Sequence, residues 1–281
     1  MFNKILVCVD PYPPGDTLLS CVIRLKSCGA REVILAHILD ADTPGLDTML
    51  ITQARPEMER QQRLLEEAGF EVSMVMPRGV PAQALHDLAE THDVSVIAVG
   101  THGRGIAETI ALGSVSARLL HTTHRPVLLS RATMPEKAAA QDYRGHILFP
   151  TDFSDTAEIA FAYLETIISA MNCQVTLLHV QDYYQQTGYL GNRLPALRDL
   201  DRSRLQRLQL WLERSGATKV GVEVIQGNPG DEVVKMAKAK GCSLILMGTQ
   251  GKGISRELLL GSVAHQVVRH AAQPILLIPA L

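Results

Sequence analysis

Ten short apolar runs punctuate the chain, five in each half, and longer stretches with helical spacing of apolar positions lie between them. In the first half the runs are NKILVCVD (3–10), REVILAHILD (31–40), EVSMVMP (71–77), VSVIAVG (94–100) and RPVLLS (125–130). In the second they are GHILFPTD (145–152), CQVTLLHVQD (173–182), GVEVIQG (221–227), CSLILMG (242–248) and QPILLIP (273–279). Near-continuous apolar character over so few residues predicts strands buried on both faces, and segments such as 55–68 and 199–215 predict the helices between them. Strand alternating with helix indicates an α/β fold with a parallel sheet between helices, its crossovers right-handed.

The two halves are copies. Asp10 aligns with Asp152 at an offset of 142, Gly100 with Gly248 at 148, so the second half carries a net insertion of six residues between those points. The expected organisation is a first domain over 1–130, a linker over 131–144 that lacks any strand pattern, and a second domain over 145–281. The least regular stretches, 40–55 and 182–198, read as variable loops, with a lid or a partner surface as the competing reading for the second.

Composition narrows the function more than the fold. The formal charge is −2 and aromatic residues make up 4%, so neither a basic field nor a stacking surface points to nucleic acid. The amino-terminal apolar run is broken by Asp10 and lacks a signal peptide's pattern, and no stretch has the purity of a membrane span. Five cysteines without CxxC spacing suit a reducing, cytoplasmic setting, with Cys8, Cys173 and Cys242 as small core residues.

One pattern carries chemistry. Gly100-Thr101-His102-Gly103, nine residues, then Gly113-Ser114 recurs as Gly248-Thr249-Gln250-Gly251, nine residues, then Gly261-Ser262. Each copy leaves a strand and enters a helix, and such an amino terminus, with unpaired amides behind a glycine loop, is a place for phosphate or an ordinary turn with a helix cap. Glycine at 248 and 251 allows positive φ and close backbone approach, and Ser262 can cap the helix or face a phosphate oxygen. Arg104, Lys252 and Arg256 fit either phosphate contact or solvated loop charge. Asp10 and Asp152 end the first strands on the ligand side of a parallel sheet, where Asp152 suits ribose hydroxyls or a helix cap equally well. His37 and His179 read as structural histidines, no carboxylate being spaced as their partner, and His102 has the non-titrating Gln250 as its counterpart. Neither a P-loop nor Gly-x-Gly-x-x-Gly after the first strand is present, and no nucleophile with a base and an orienting residue declares an enzyme.

With these motifs in family order, ILFPTDFSDTAEIA, VTLLHV, GNPGDEVVKMA, ILMGTQGKG, LLGSVAHQVV and PILLIP, the chain resembles a tandem universal stress protein of the ATP-binding type. The resemblance implies two Rossmann-like domains, each a five-stranded parallel sheet of order 3-2-1-4-5. It implies ATP, with or without Mg, as ligand: adenine near Pro150, Asp152 and the Val180 main chain, ribose near Asp152 and the Met247–Gly248 backbone, phosphates along Gly251, Gly261, Ser262 and Val263. The matching first-half positions are Asp10, Ile38, Val99, Gly100, Gly103, Gly113, Ser114 and Val115. There Cys8 replaces the proline and PYPPGD follows Asp10, which points to a weakened or reshaped first site. The implied role is regulatory binding in a stress response without a catalytic residue, occupancy modulating conformation or an unidentified protein partner. The resemblance also implies an intrachain pseudo-dimer through PVLLS and PILLI and a further homodimer. The alternatives are a nucleotide-independent interaction module and, ranked lower, a weak ATP-hydrolysing or adenylyl-transfer enzyme.

Overall fold

The computed structural model describes residues 1–10, 16–40, 47–101, 113–131, 145–182, 194–251 and 260–280. The chain divides into two compact units, Met1–Ala140 and Gln141–Leu281.

In the first unit the strands are β1 (Lys4–Cys8), β2 (Glu32–Ala36), β3 (Leu39–Asp40), β4 (Glu71–Val75), β5 (Arg78–Gly79), β6 (Val96–Gly100) and β7 (Val127–Ser130). Five of them form a parallel sheet in the order β4-β2-β1-β6-β7, with Leu6 registered against Ile34 on one side and Ile97 on the other. Numbered by chain order, those five strands run 3-2-1-4-5. The helices are α1 (Asp16–Arg24), α2 (Asp47–Glu67), α3 (Pro81–Thr91) and α4 (Ser114–Leu120). Leu6, Ile97, Leu128 and Leu85 are buried, as expected of a sheet covered by helices on both faces.

The second unit repeats the arrangement with β8 (His146–Pro150), β9 (Gln174–Gln181), β10 (Lys219–Gln226), β11 (Leu244–Gly248) and β12 (Ile275–Ile278), in the parallel order β10-β9-β8-β11-β12. Its helices are α5 (Asp155–Ala170), α6 (Leu194–Arg214), α7 (Pro229–Ala239) and α8 (Ser262–His270). The units differ at one sheet edge. Strands β9 and β10 pair without interruption over eight residues, whereas the first unit breaks the same ladder into β2–β4 and a separate short β3–β5 pair.

Two helices reach further upstream than apolar spacing predicts, since α2 begins at Asp47 and α6 at Leu194. In α2 the buried stripe Ala54, Met58, Gln61 and Leu65 continues past Pro56, and packing carries the helix through a residue that removes one hydrogen bond. Both sheets have the same switch point. The chain leaves the central strand to one side and returns on the other, which places the carboxyl ends of β1 and β6, and of β8 and β11, next to each other.

Candidate functional site

In the second unit the glycine loop leaves β11 and is pinned at its base. Thr249 N–H donates to Ile278 O at 2.8 Å, and Thr249 O accepts from Gly261 N–H at 2.7 Å, so the excursion closes back onto the strand it left. The two glycines beside this closure are required by space. A Cβ at Gly248 would stand 2.8 Å from Thr156 Cγ2 in the first turn of α5, and one at Gly251 would stand 2.5 Å from Asp152 Oδ2. The positive φ that glycine permits is not adopted at either position; the described glycines with φ above zero lie elsewhere, at 29, 69, 79, 216, 227 and 241. Close approach alone excludes a side chain.

The neighbouring loop, from β8 into α5, presents Asp152. Its Oδ1 accepts from Ser154 N–H at 3.1 Å and from Ser154 Oγ at 2.6 Å, and Ser154 Oγ in turn accepts from Ala157 N–H at 3.3 Å. The helix cap is therefore Ser154. Asp152 orients that serine, which corrects the reading of Asp152 as a cap and leaves its Oδ2 toward Gly251. Between them Phe153 adopts φ 58°, a left-handed conformation that is costly for an aromatic residue, with its N–H on Thr151 Oγ1 at 3.0 Å.

That ring is held from two sides. Arg204 Cζ lies 4.5 Å from the Phe153 ring centroid and the His179 ring 4.8 Å from it, centroid to centroid. His179 Nδ1 is 2.8 Å from Thr151 O, and its Nε2 is 3.4 Å from Asp201 Oδ2. Gln181 Nε2 donates to the same Asp201 oxygen at 2.9 Å. The sequence expectation that His179 lacks a carboxylate partner is thus corrected: α6 supplies Asp201 from 22 residues downstream. A signal existed, because Asp201 falls four residues before Leu205 and eleven before Leu212, an acidic residue in the stripe that α6 buries.

Gly261 occupies the cap position of α8 with φ −72° and ψ 159°, and no side chain caps that helix. Ser262 is consequently the first helical residue and is exposed, and the alternative that it caps α8 is set aside. Val263 follows it in the first turn. Pro150, Val180 and Gly248 are half-buried at the carboxyl ends of β8, β9 and β11, while Met247 is buried. Thr249 Oγ1 is buried and lacks a hydrogen-bond partner among the described residues.

The first unit repeats the closure, with Thr101 N–H on Ser130 O at 2.9 Å and Gly113 N–H on Thr101 O at 2.6 Å. Asp10, Ile38, Val99, Gly100, Gly113, Ser114 and Val115 take the matching places, with Gly113 in the cap position and Ser114 exposed. Gly103, His102 and Arg104, like Lys252 and Arg256 of the second loop, lie outside the described residues, as do most of 131–144 and residues 183–193. His37 Nδ1 is 3.2 Å from Val9 O, the counterpart of the His179 contact. Helices α2 and α6 are both 21 residues long, and Ala54, buried, stands at the position of Asp201. Cys8 replaces Pro150, and burial, reinforced by Asp10, pushes its thiol up to about 12. Burial likewise raises Cys173 and Cys242 to about 11, so all three are thiols near neutral pH. Among the described residues no group of His, Cys, Asp and Glu could hold a metal ion, and no helix is long and apolar enough to cross a membrane.

Known proteins bear on this arrangement. The chain is 26% identical over 289 residues to a universal stress protein of Mycolicibacterium smegmatis, with 98% of this chain and 96% of that one covered. It is 32% identical to universal stress protein MJ0577 of Methanocaldococcus jannaschii over 151 residues, 47% of this chain and 93% of that one. The crystal structure of a universal stress protein from Archaeoglobus fulgidus superposes with a TM-score of 0.72 at 20% identity, covering 99% of this chain and 98% of that one, and shares the fold. The sequence model of the universal stress protein family matches residues 1–131 and again 144–279, and the chain belongs to that family as a tandem of two of its domains.

Proposed function

We propose that the second unit binds an adenine nucleotide, ATP being the ligand implied by the sequence resemblance, and that occupancy serves a regulatory role in a stress response. The observation that carries this reading is the approach of Asp152 to Gly251. A carboxylate from the loop after β8 stands against the backbone of the loop after β11, at the switch point where parallel sheets hold ligands. There Asp152 accepts from the ribose hydroxyls. The backbone of Gly251, Gly261, Ser262 and Val263 faces the phosphates, with the uncapped first amides of α8 as donors.

The residues present fit such a ligand. The absence of a Cβ at Gly251 lets the Asp152 carboxylate stand against that backbone, and Thr249 Oγ1 is a buried hydroxyl without a partner among the described residues. Pro150, Val180 and the Met247–Gly248 backbone close the adenine and ribose side. In this reading the groups on hand bind and orient the nucleotide, and the Ser154 hydroxyl is engaged on Asp152 as part of the helix cap. Binding alters a partner or a conformation only through different affinities for two states.

The first unit offers Asp10, Ile38, Val99, Gly100, Gly103, Gly113, Ser114 and Val115 for a second nucleotide, with Cys8 at the adenine side as the main departure. The deciding measurement is the adenine-nucleotide content per chain of freshly purified, unheated protein after denaturation. One per chain supports an asymmetric pair and two supports equivalent sites. None, together with no binding of added ATP, overturns the reading in favour of a nucleotide-independent interaction module.

A further inference from the structure

The His179–Asp201 contact joins α6 to the loop that carries Asp152, and among the described residues of the first unit the place of Asp201 is taken by Ala54. His179 Nδ1 faces a backbone carbonyl, Thr151 O at 2.8 Å, which can only accept, so Nδ1 carries a proton. Its Nε2 faces a carboxylate oxygen, Asp201 Oδ2 at 3.4 Å, another group that can only accept when ionised. A neutral imidazole has one N–H and satisfies one of these two partners. The doubly protonated ring satisfies both, bridging the Thr151 carbonyl and the Asp201 carboxylate.

We infer that His179 and Asp201 are positioning residues for the second-unit nucleotide site, forming a proton-dependent brace that holds the Thr151–Ser154 loop in its binding geometry. The inference rests on the nucleotide reading above. The brace acts through the backbone. It fixes Thr151 O on one side of Asp152, while the Phe153 ring, packed between His179 and Arg204, fixes the other side in a conformation that a free loop would leave. Asp152 then has one orientation, with Oδ1 on Ser154 and Oδ2 toward Gly251.

The charged side chains that the structure gives in contact with His179 or with the Phe153 ring beside it are Asp201 and Arg204, both from α6; on β10 the residue registered beside His179 is the uncharged Val224. Arg204 lies 3.9 Å from Asp201 Oδ1, so Asp201 has cationic neighbours on both of its oxygens when His179 is protonated. Loss of the Nε2 proton as pH rises leaves a lone pair opposite the carboxylate, and the brace opens. In the first unit Ala54 stands where Asp201 does, so His37 keeps only the Val9 carbonyl contact among the interactions described and the same response is absent there.

The test is calorimetric titration of the full chain with ATP from pH 6 to pH 8, on the wild type, Asp201→Ala and Asp201→Asn. Imidazole nitrogen NMR of His179 is followed in parallel. In the wild type the affinity of the second-unit site falls as pH rises, beyond the change that the nucleotide's own phosphates impose on every variant. Asp201→Ala weakens binding about tenfold at pH 6, the scale of one charge-assisted hydrogen bond, and removes that excess pH dependence. Asp201→Asn can donate its amide N–H to a neutral Nε2, so it restores most of the affinity, shows a singly protonated ring and stays insensitive to pH. If Asp201→Ala fails to fold, the asparagine variant still decides through its flat pH profile. ATP binding by all three proteins with one affinity and one pH profile overturns the inference alone, whereas no binding by the wild type overturns the nucleotide reading and this inference with it.

Discussion

Asp152 Oδ2 occupies the place where a side chain on Gly251 would begin, 2.5 Å from the position of its Cβ, so the two loops at the switch point touch through a carboxylate and a bare backbone. Gly251→Ala pushes that carboxylate away without disturbing either strand. The expected outcome is a loss of ATP affinity of at least about tenfold with a thermal midpoint within a few degrees of wild type, read by calorimetry and thermal denaturation.

Gly261→Arg places a long side chain at the cap of α8, where the backbone must approach a phosphate. ATP binding by the second unit should disappear while the circular dichroism spectrum stays native, and nucleotide content should fall by one per chain wherever two are bound. Unchanged ATP affinity would defeat the assignment of this loop to phosphate.

A side chain at Gly248 would run into Thr156, so packing alone demands glycine there. Gly248→Ala should cost about 1–3 kcal/mol of stability by overpacking. Shortening its neighbour by Thr156→Ser removes the Cγ2 that would stand 2.8 Å away and should recover a measurable part of that cost in a double-mutant cycle of chemical denaturation. Additive effects would show that the strain lies elsewhere.

The two units offer a matched test of helix capping. Asn228 Oδ1 accepts from Asp231 N–H at 3.2 Å at the start of α7, whereas Val80 holds the same position before α3 with similar backbone angles and no side-chain cap. Asn228→Ala should cost about 1 kcal/mol, and Val80→Asn should gain a few tenths to about 1 kcal/mol, each measured by urea denaturation.

Acid titration should expose the ion pairs of the first unit. Arg125 binds Glu90 through two nitrogens, each at 2.9 Å, and holds the Glu90 carboxyl below its ordinary range, chiefly through these hydrogen bonds. A carboxyl lowered in the folded state adds stability above its unfolded pKa and loses it as pH falls through the lower folded value. Both side chains are partly exposed, so the effect is held within about 1 kcal/mol and shrinks in high salt. Arg125→Met should lower stability at neutral pH and flatten its acid dependence; an unchanged pH profile would exclude this pair as the source.

The repeat, the α/β class and the approach of the two loops were legible because each rests on short-range pattern: apolar runs, glycines at fixed offsets, an aspartate at a strand end. The brace was not legible in the same way. His179 and Asp201 are brought together only when α6 docks against β9 and β10. At Gly248 and Gly251 the sequence allows both positive φ and close approach, and only the folded neighbours, Thr156 and Asp152, reveal that volume is what excludes a side chain. Pro56 likewise reads as the start of a helix until the buried stripe on both sides of it is seen.

Asp152 and Gly251 are separated by almost a hundred residues, so the contact between them exists only while the whole second unit is assembled. Occupancy and folding are then one linked equilibrium. A nucleotide present at about a hundredfold of its dissociation constant adds roughly 2.7 kcal/mol to the stability of the unit that holds it. A duplicated chain with one tight and one weak site would turn a change in nucleotide level into a difference in durability between its own halves, and the half that opens first under stress would be selected by ligand supply.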